Sequence, residues 1–134
     1  MITREMAKRM DSNRVDGHFM ESVISDQLRK RGFVILEQNY RVGRLEIDII
    51  AMEGDVLCFI EVKSRSTPFV MSELDSLVTH KQQNHLIWAS NRYCQNLRKI
   101  KYKTVRFDYI LVYVPDRVNP KKVTHIRNAF VPTI

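Results

Sequence analysis

Residues 45–63 read LEIDIIAMEGDVLCFIEVK, and this stretch decides the fold. Leu45 to Met52 and Val56 to Lys63 are apolar runs of strand length. Glu53-Gly54-Asp55 between them is turn chemistry, so the two runs are expected to form a β-hairpin. The unusual feature is charge inside these runs. Glu46 and Asp48 lie among four aliphatic residues, and Glu61 and Lys63 end the second run. A buried ion without a partner is costly, so such groups must pair, bind a metal or change protonation.

Strand alternation puts Glu46, Asp48 and Ile50 on one face, and Phe59, Glu61 and Lys63 on one face. A register that sets Asp48 opposite Glu61 brings their Cβ atoms to roughly 4.5–5.5 Å. Two carboxylates so close repel unless a cation lies between them. A hard divalent ion with oxygen ligands, Mg²⁺ or Mn²⁺, suits that place. Lys63 would then hold and help deprotonate an attacking water, or balance charge in the transition state. The competing account is a structural ion cluster in which Lys63 neutralises Asp48 or Glu61. A register slip of one residue would send the two carboxylates to opposite faces.

Upstream, Gly17 to Arg31 has helical spacing, with Met20, Val23, Ile24 and Leu28 on one side and Gly32 as a stop. Glu21 sits at the margin of that buried side, where a carboxylate can reach over a sheet edge toward a metal. On the residues alone, a surface glutamate paired with Arg or Lys is the simpler account. Phe33 to Tyr40 reads as a strand, with a turn around Gly43. Downstream, residues 64–78 form a Ser/Thr/Pro-containing connection, and Thr79 starts a helix to about Leu97. Val105 to Val114 is a strand stopped by Pro115, and Lys122 to Ala129 a weaker one. Residues 1–16 lack a period and are expected to be unstructured, leaving 17–134 as a single domain. Helix, three strands, helix and two strands make an α/β fold, a mixed β-sheet flanked by helices.

The chain has 134 residues, 44% hydrophobic and 28% charged, ordinary values for a globular domain. No apolar run reaches membrane-span length, and the N-terminus lacks the apolar segment of a secretory signal. Cys58 and Cys94 stand far apart with no ligand spacing, which suits a reducing compartment. A cytoplasmic protein with no membrane attachment is expected. No Ser/His/Asp triad, phosphate-binding loop or GxGxxG motif is present. The net charge is +7, unevenly spread: residues 1–80 hold 11 basic and 13 acidic side chains, and residues 81–134 hold 11 basic and 2 acidic. A field of that kind suits a polyanion, although a solvated basic surface is an equal account.

Arg98, Lys99, Lys101, Lys103 and Arg106, interrupted by Tyr102, form the densest basic stretch, with Lys99, Lys101 and Lys103 as candidate phosphate contacts. Lys81, His85, Trp88 and Arg92 share one side of the second helix, where basic groups flanking an aromatic suit phosphate contact with base stacking. The competing account packs Trp88 beneath the N-terminal segment or in a homodimer interface. Arg65 and the 64–78 connection would close over a nucleic-acid strand, or form an ordinary surface loop. His18, His80, His85 and His125 show no ligand spacing. Asp108 is expected to pair with Arg106 or nearby backbone.

Several pieces recur in order: Glu21, Arg31-Gly32-Phe33, Asn39-Tyr40-Arg41, Glu46-Ile47-Asp48-Ile49-Ile50-Ala51, Phe59-Ile60-Glu61-Val62-Lys63-Ser64-Arg65, Lys81 and Arg106-Phe107-Asp108. In these the chain resembles the YraN-type family of small bacterial proteins, over about residues 17–114. The resemblance implies a restriction-endonuclease-like fold of the PD-(D/E)XK superfamily, akin to archaeal Holliday junction resolvases. It implies Asp48, Glu61 and the backbone carbonyl of Val62 as ligands of Mg²⁺ or Mn²⁺, Lys63 as catalytic lysine, Glu21 as accessory acid and Lys81 facing phosphate. Met20 and Leu45 stand where the family usually has glycine, and Ile47 where the superfamily has proline. The expected activity is metal-dependent hydrolysis of DNA phosphodiesters, with branched or repair intermediates as substrates. The alternatives are a nucleic-acid-binding module that does not cut, and a structural assembly subunit.

Overall fold

The computed structural model describes residues 16–132. The unstructured segment expected over residues 1–16 lies, apart from Asp16, outside the described residues. Helix α1 (Gly17–Lys30) begins where the Asp16 carboxylate accepts the Phe19 N–H at 3.2 Å, satisfying one of the donors a helix start leaves open. It buries Met20, Glu21, Ile24, Ser25 and Leu28, the side its spacing marks out, and stops before Gly32.

Strands β1 (Val34–Val42), β2 (Leu45–Glu53) and β3 (Val56–Arg65) follow as an antiparallel meander. Both reversals are two-residue turns containing a glycine at positive φ, Gly43 at 59° and Gly54 at 60°, which fits the right-handed strand twist. The tight first turn carries β1 on to Val42, two residues past Tyr40, because Val42 pairs with Leu45.

A 3₁₀ turn (Met71–Glu73) and a short helix α2 (Leu74–Leu77) occupy the connection after β3, so residues 64–78 are less irregular than their composition suggests. Thr79 caps α3 (His80–Asn96) through the Gln82 N–H. Strand β4 (Thr104–Tyr113) runs parallel to β3 from Val56–Thr104 to Arg65–Tyr113, and β5 (Lys122–Ile126) closes the sheet antiparallel to β4. The last strand is shorter than its apolar pattern suggests, ending at Ile126.

The sheet order is β1-β2-β3-β4-β5, mixed in direction. A parallel β3–β4 pair needs a crossover, and α3 supplies it. One core layer packs Met20, Ile24 and Leu28 of α1 on Ile49, Ala51, Cys58, Ile60 and Ile110. The other packs Leu86, Ala89 and Tyr93 of α3 on Ile47, Ile50, Met52, Phe59 and Phe107. The architecture is the expected α/β class and is consistent with a restriction-endonuclease-like fold. Among the described residues no helix is long and apolar enough to cross a membrane.

Candidate metal centre

The central hairpin forks. Strands β2 and β3 pair from Glu53–Val56 back to Ile49–Ile60, and there the ladder ends. The next step in register would set Asp48 against Glu61. Instead the Asp48 side chain takes over, its Oδ2 accepting the Val62 N–H at 2.8 Å. β2 stays with β1 as far as Val42–Leu45, while β3 stays with β4 as far as Arg65–Tyr113, so the two strands diverge around this carboxylate.

Strict alternation does not survive across Asp48. Ile47 packs on the α3 side with Ile50 and Met52, whereas Ile49 and Ala51 pack on the α1 side. The face changes between the Tyr40–Ile47 and Gln38–Ile49 pairs, at the level of Asn39, whose φ is 53°. That left-handed residue in mid-strand kinks β1 and twists β2 with it. Hence Glu46, Asp48 and Ile50 do not present one common face, a correction to simple period-two reading.

Three carboxyls crowd the fork. Burial pushes Glu21 up to about 8, helped by the charge of Asp48 and by a hydrogen bond with it, and then by Glu46 and Glu61. Burial likewise raises Asp48, against the pull of the Val62 N–H. Glu61 rises to about 8, first through burial and then through the charge of Asp48, although Lys63 pulls the other way. A cation among these carboxyls would let them ionise. The residues fit a divalent ion: Glu21 is 7% exposed, and its buried Oε2 has no hydrogen-bond partner.

Among the described residues one ammonium pairs with these carboxyls. Lys63 Nζ lies 3.4 Å from Glu61 Oε1. Gln82 anchors it from α3. With its oxygen turned to Lys63 Nζ at 2.8 Å, the amide NH₂ donates to Leu77 O at 2.7 Å and to the Tyr109 hydroxyl at 2.8 Å. Tyr109 is fully buried beside Glu61 in the β3–β4 ladder, and burial followed by the charges of Glu61 and Asp48 raises its phenol. A cleft of about 170 Å³ opens in front, lined by Arg44, Leu45, Glu46, Glu61, Gln82, His85 and Leu86.

Another group lies at the start of α1. His18, Glu21 and Glu46 each offer a ligand atom within 4.8 Å of the others, so they are able to hold a metal ion. His18 Nδ1 is 3.8 Å from Glu21 Oε2, too long for a hydrogen bond. Sequence reading passed over His18, Glu46 as a ligand, Gln82 and Arg44. The one available signal was the i, i+3 spacing of His18 and Glu21, which puts both on one helix face.

The expected nucleic-acid contacts are dispersed. His85 lines the cleft, and Lys81 is exposed near its start on α3. Arg92 lies over the half-exposed Trp88 ring at 5.8 Å, farther along the helix. Lys99, Lys101 and Lys103 are exposed at the hairpin end of the sheet, where the Lys103 N–H bonds Asp55 O at 2.8 Å. Lys103 is six residues before Tyr109, the partner of Glu61, or roughly 20 Å along the strand at ~3.3 Å per residue. Arg65 is engaged within its own loop. It pairs with Glu73, donates to Pro68 O at 2.7 Å and Thr67 O at 3.2 Å, and stacks over Phe69 at 4.0 Å.

Asp108 pairs with Arg106 as expected, at 2.8 and 2.9 Å. It also holds His125 Nε2 at 2.8 Å, so His125 is a part of this buried cluster. Cys58 is buried and Cys94 part-buried, both free.

The model of the Uncharacterised protein family UPF0102 matches residues 20–112, a span holding Glu21, Asp48, Glu61 and Lys63. A UPF0102 protein of Acetivibrio thermocellus is 36% identical over 124 residues, covering 90% of this chain and 94% of the relative. UPF0102 proteins of Dictyoglomus turgidum and Clostridioides difficile are 33% and 37% identical over 119 residues, each covering 89% of this chain and 99% of the relative.

Proposed function

The chain belongs to the UPF0102 family, the YraN-like group its motifs resemble, and from that premise we propose that the fork of β2 and β3 is the centre of a divalent-metal-dependent nuclease acting on DNA. The observation that carries this reading is the crowding of Glu21, Asp48 and Glu61 around one fork with Lys63 as their sole adjacent ammonium among the described residues. A structural ion cluster ionises its groups in pairs, whereas here Glu21 and Glu61 are pushed up to about 8 beside Asp48, and a cation would let them ionise.

Asp48, Glu61 and the Val62 carbonyl would hold Mg²⁺ or Mn²⁺, with Glu21 as accessory acid. When bound, the ion supplies positive charge to the phosphoryl group under attack. The chain's own groups do the rest. Lys63, held between Glu61 and the Gln82 amide, orients the attacking water and offsets charge developing on phosphorus oxygens. Gln82, tied to Leu77 O and Tyr109, keeps that ammonium at the fork. His85 and Arg44 line the cleft, where a phosphate backbone would pass, and Lys81 is exposed on the first turn of α3.

The test is cleavage of single-stranded, duplex and four-way-junction DNA with Mg²⁺ or Mn²⁺, beside an Asp48→Ala control. Cleavage that needs metal and is lost in the variant is expected. Binding of these DNAs without cleavage would support a non-cutting nucleic-acid module instead, the reading favoured by the exposed basic residues away from the fork.

A further inference from the structure

We infer that the start of α1 carries a second cation position, in which His18 Nδ1, Glu21 Oε2 and the Glu46 carboxylate bind a divalent ion that accepts mixed nitrogen and oxygen ligands, Mn²⁺ or Zn²⁺, beside the ion at the Asp48–Glu61 fork. The inference rests on the metal-site reading above only in that Glu21 stands between the two positions.

Two independent observations meet here. The first is spacing: ligand atoms from three residues converge within 4.8 Å, and one of them is an imidazole nitrogen, which an acidic surface patch lacks. The second is an orphan. Glu21 is 7% exposed, and the oxygen it turns toward His18 is buried with no hydrogen-bond partner. A buried carboxylate oxygen left bare costs free energy, and a cation would satisfy it.

Local geometry explains how the three meet. His18 and Glu21 occupy positions i and i+3 of α1, on one face of its first turn. Glu46 reaches them because the backbone twists at Asp48, which a straight strand would not do. The positive end of the helix dipole works against a cation at this end, but Asp16 already caps the Phe19 N–H, and two carboxylates outweigh a partial charge. Three protein ligands leave positions open to solvent or a phosphate oxygen, as in metal sites that do chemistry rather than hold structure. The donor set decides the ion. One imidazole with two carboxylates disfavours Mg²⁺, which prefers all-oxygen octahedral surroundings, and suits Mn²⁺ or Zn²⁺. The fork, with oxygen donors alone, accepts either Mg²⁺ or Mn²⁺.

The experiment is a titration of the full chain, stripped of metal, with Mn²⁺ alone, counting bound ions by electron paramagnetic resonance. Two ions per wild-type chain are expected. His18→Ala should keep one, with affinity at the lost position falling by more than about tenfold, the loss seen even for outer-shell partners. Glu46→Gln should do the same, Asp48→Asn should lose the other ion, and excess Mg²⁺ should displace Mn²⁺ from the fork only. His18 is exposed, so an unchanged melt of His18→Ala in EDTA checks that the variant is folded. An unchanged count in His18→Ala overturns the inference, as does a single wild-type ion that vanishes only in Asp48→Asn. A single ion that vanishes in His18→Ala and survives in Asp48→Asn upholds this position and defeats the fork instead.

Discussion

Asparagine keeps a carbonyl oxygen able to accept the Val62 N–H, so Asp48→Asn removes charge from the fork and little else. In EDTA the variant is expected to melt at or above the wild-type temperature, because the buried charge that raises Glu21 and Glu61 is gone. Mn²⁺ should raise the wild-type melt, the fork ion contributing about 2.7 kcal/mol of stabilisation at a hundredfold excess over its Kd, and the variant should lose that share while keeping any shift due to the His18 position. If the cluster were a structural ion pair, the same change would cost roughly 3–5 kcal/mol for a buried partner. Differential scanning of both proteins, with EDTA and with Mn²⁺, separates the two. Asp48, Glu61 and Lys63 were legible because a charge inside an apolar strand violates the burial rule and so calls for a reason. Gln82, Arg44 and His18 were not. A polar residue on a helix flank or in a turn breaks no rule, and only the fold shows that Gln82 and Arg44 line the cleft and that His18 lies beside Glu21 and Glu46.

At the scale of elements, β4 and β5 are locked to the hairpin by ions. Asp108, fully buried, binds Arg106, His125 and the Asn128 N–H, while Glu53 binds Arg106 and Arg127 at 2.7 Å each. The hydrogen bond from Arg127, with Arg106 behind it, lowers Glu53 to about 2. Burial would raise Asp108, yet His125, Arg106 and the Asn128 N–H outweigh it and hold the carboxyl below its usual range. Both groups ionise more readily folded than unfolded. Their stabilisation is therefore complete above the unfolded carboxylate range, about 4–4.5, and is lost as pH falls toward about 2. Asp108→Asn should cost roughly 3–5 kcal/mol at pH 7 and flatten that acid dependence, as measured by urea unfolding across pH 2–7. The Arg106–Asp108 pair could be read from spacing, since alternate strand residues share a face. The share taken by His125 could not, because it depends on β5 pairing His125 with Ile110, a contact distant in sequence. The turns at Met71–Glu73 and Leu74–Leu77 were hidden for a similar reason. Arg65 and Glu73 hold that segment by tertiary contacts that composition does not reveal.

Over the whole molecule, the basic half of the sequence does not become one basic face. His85 and Arg44 line the cleft, whereas Lys99, Lys101 and Lys103 sit at the far end of the sheet. Counterion release is counted per phosphate contacted, so the two groups make separable contributions. Reversing Lys99, Lys101 and Lys103 to Glu should weaken DNA affinity at low salt and reduce the slope of log K against log salt by about 2.7, if all three contact phosphate. Cleavage at saturating DNA should persist in that variant. Fluorescence anisotropy from 50 to 200 mM salt reads the slope, and a slope unchanged by the reversal would remove this end of the sheet from the interface. Charge imbalance was legible in the sequence; its division between two ends of a sheet was not.

The fork also has a mechanical meaning. Asp48 travels with the β1–β2 ribbon and Glu61 with the β3–β4 ribbon, and the two ribbons are joined as far as the Ile49–Ile60 rung. They behave as the arms of a pair of tongs, with that rung as the pivot and the carboxylates just beyond it at the opening. An ion gripped there would act as a clasp across the open end, so the gap between its ligands is set by the twist of both ribbons rather than by the few residues that touch it. A substitution at the far hairpin turn, around Gly54, would then be felt at the grip through the pivot, with no contact in between.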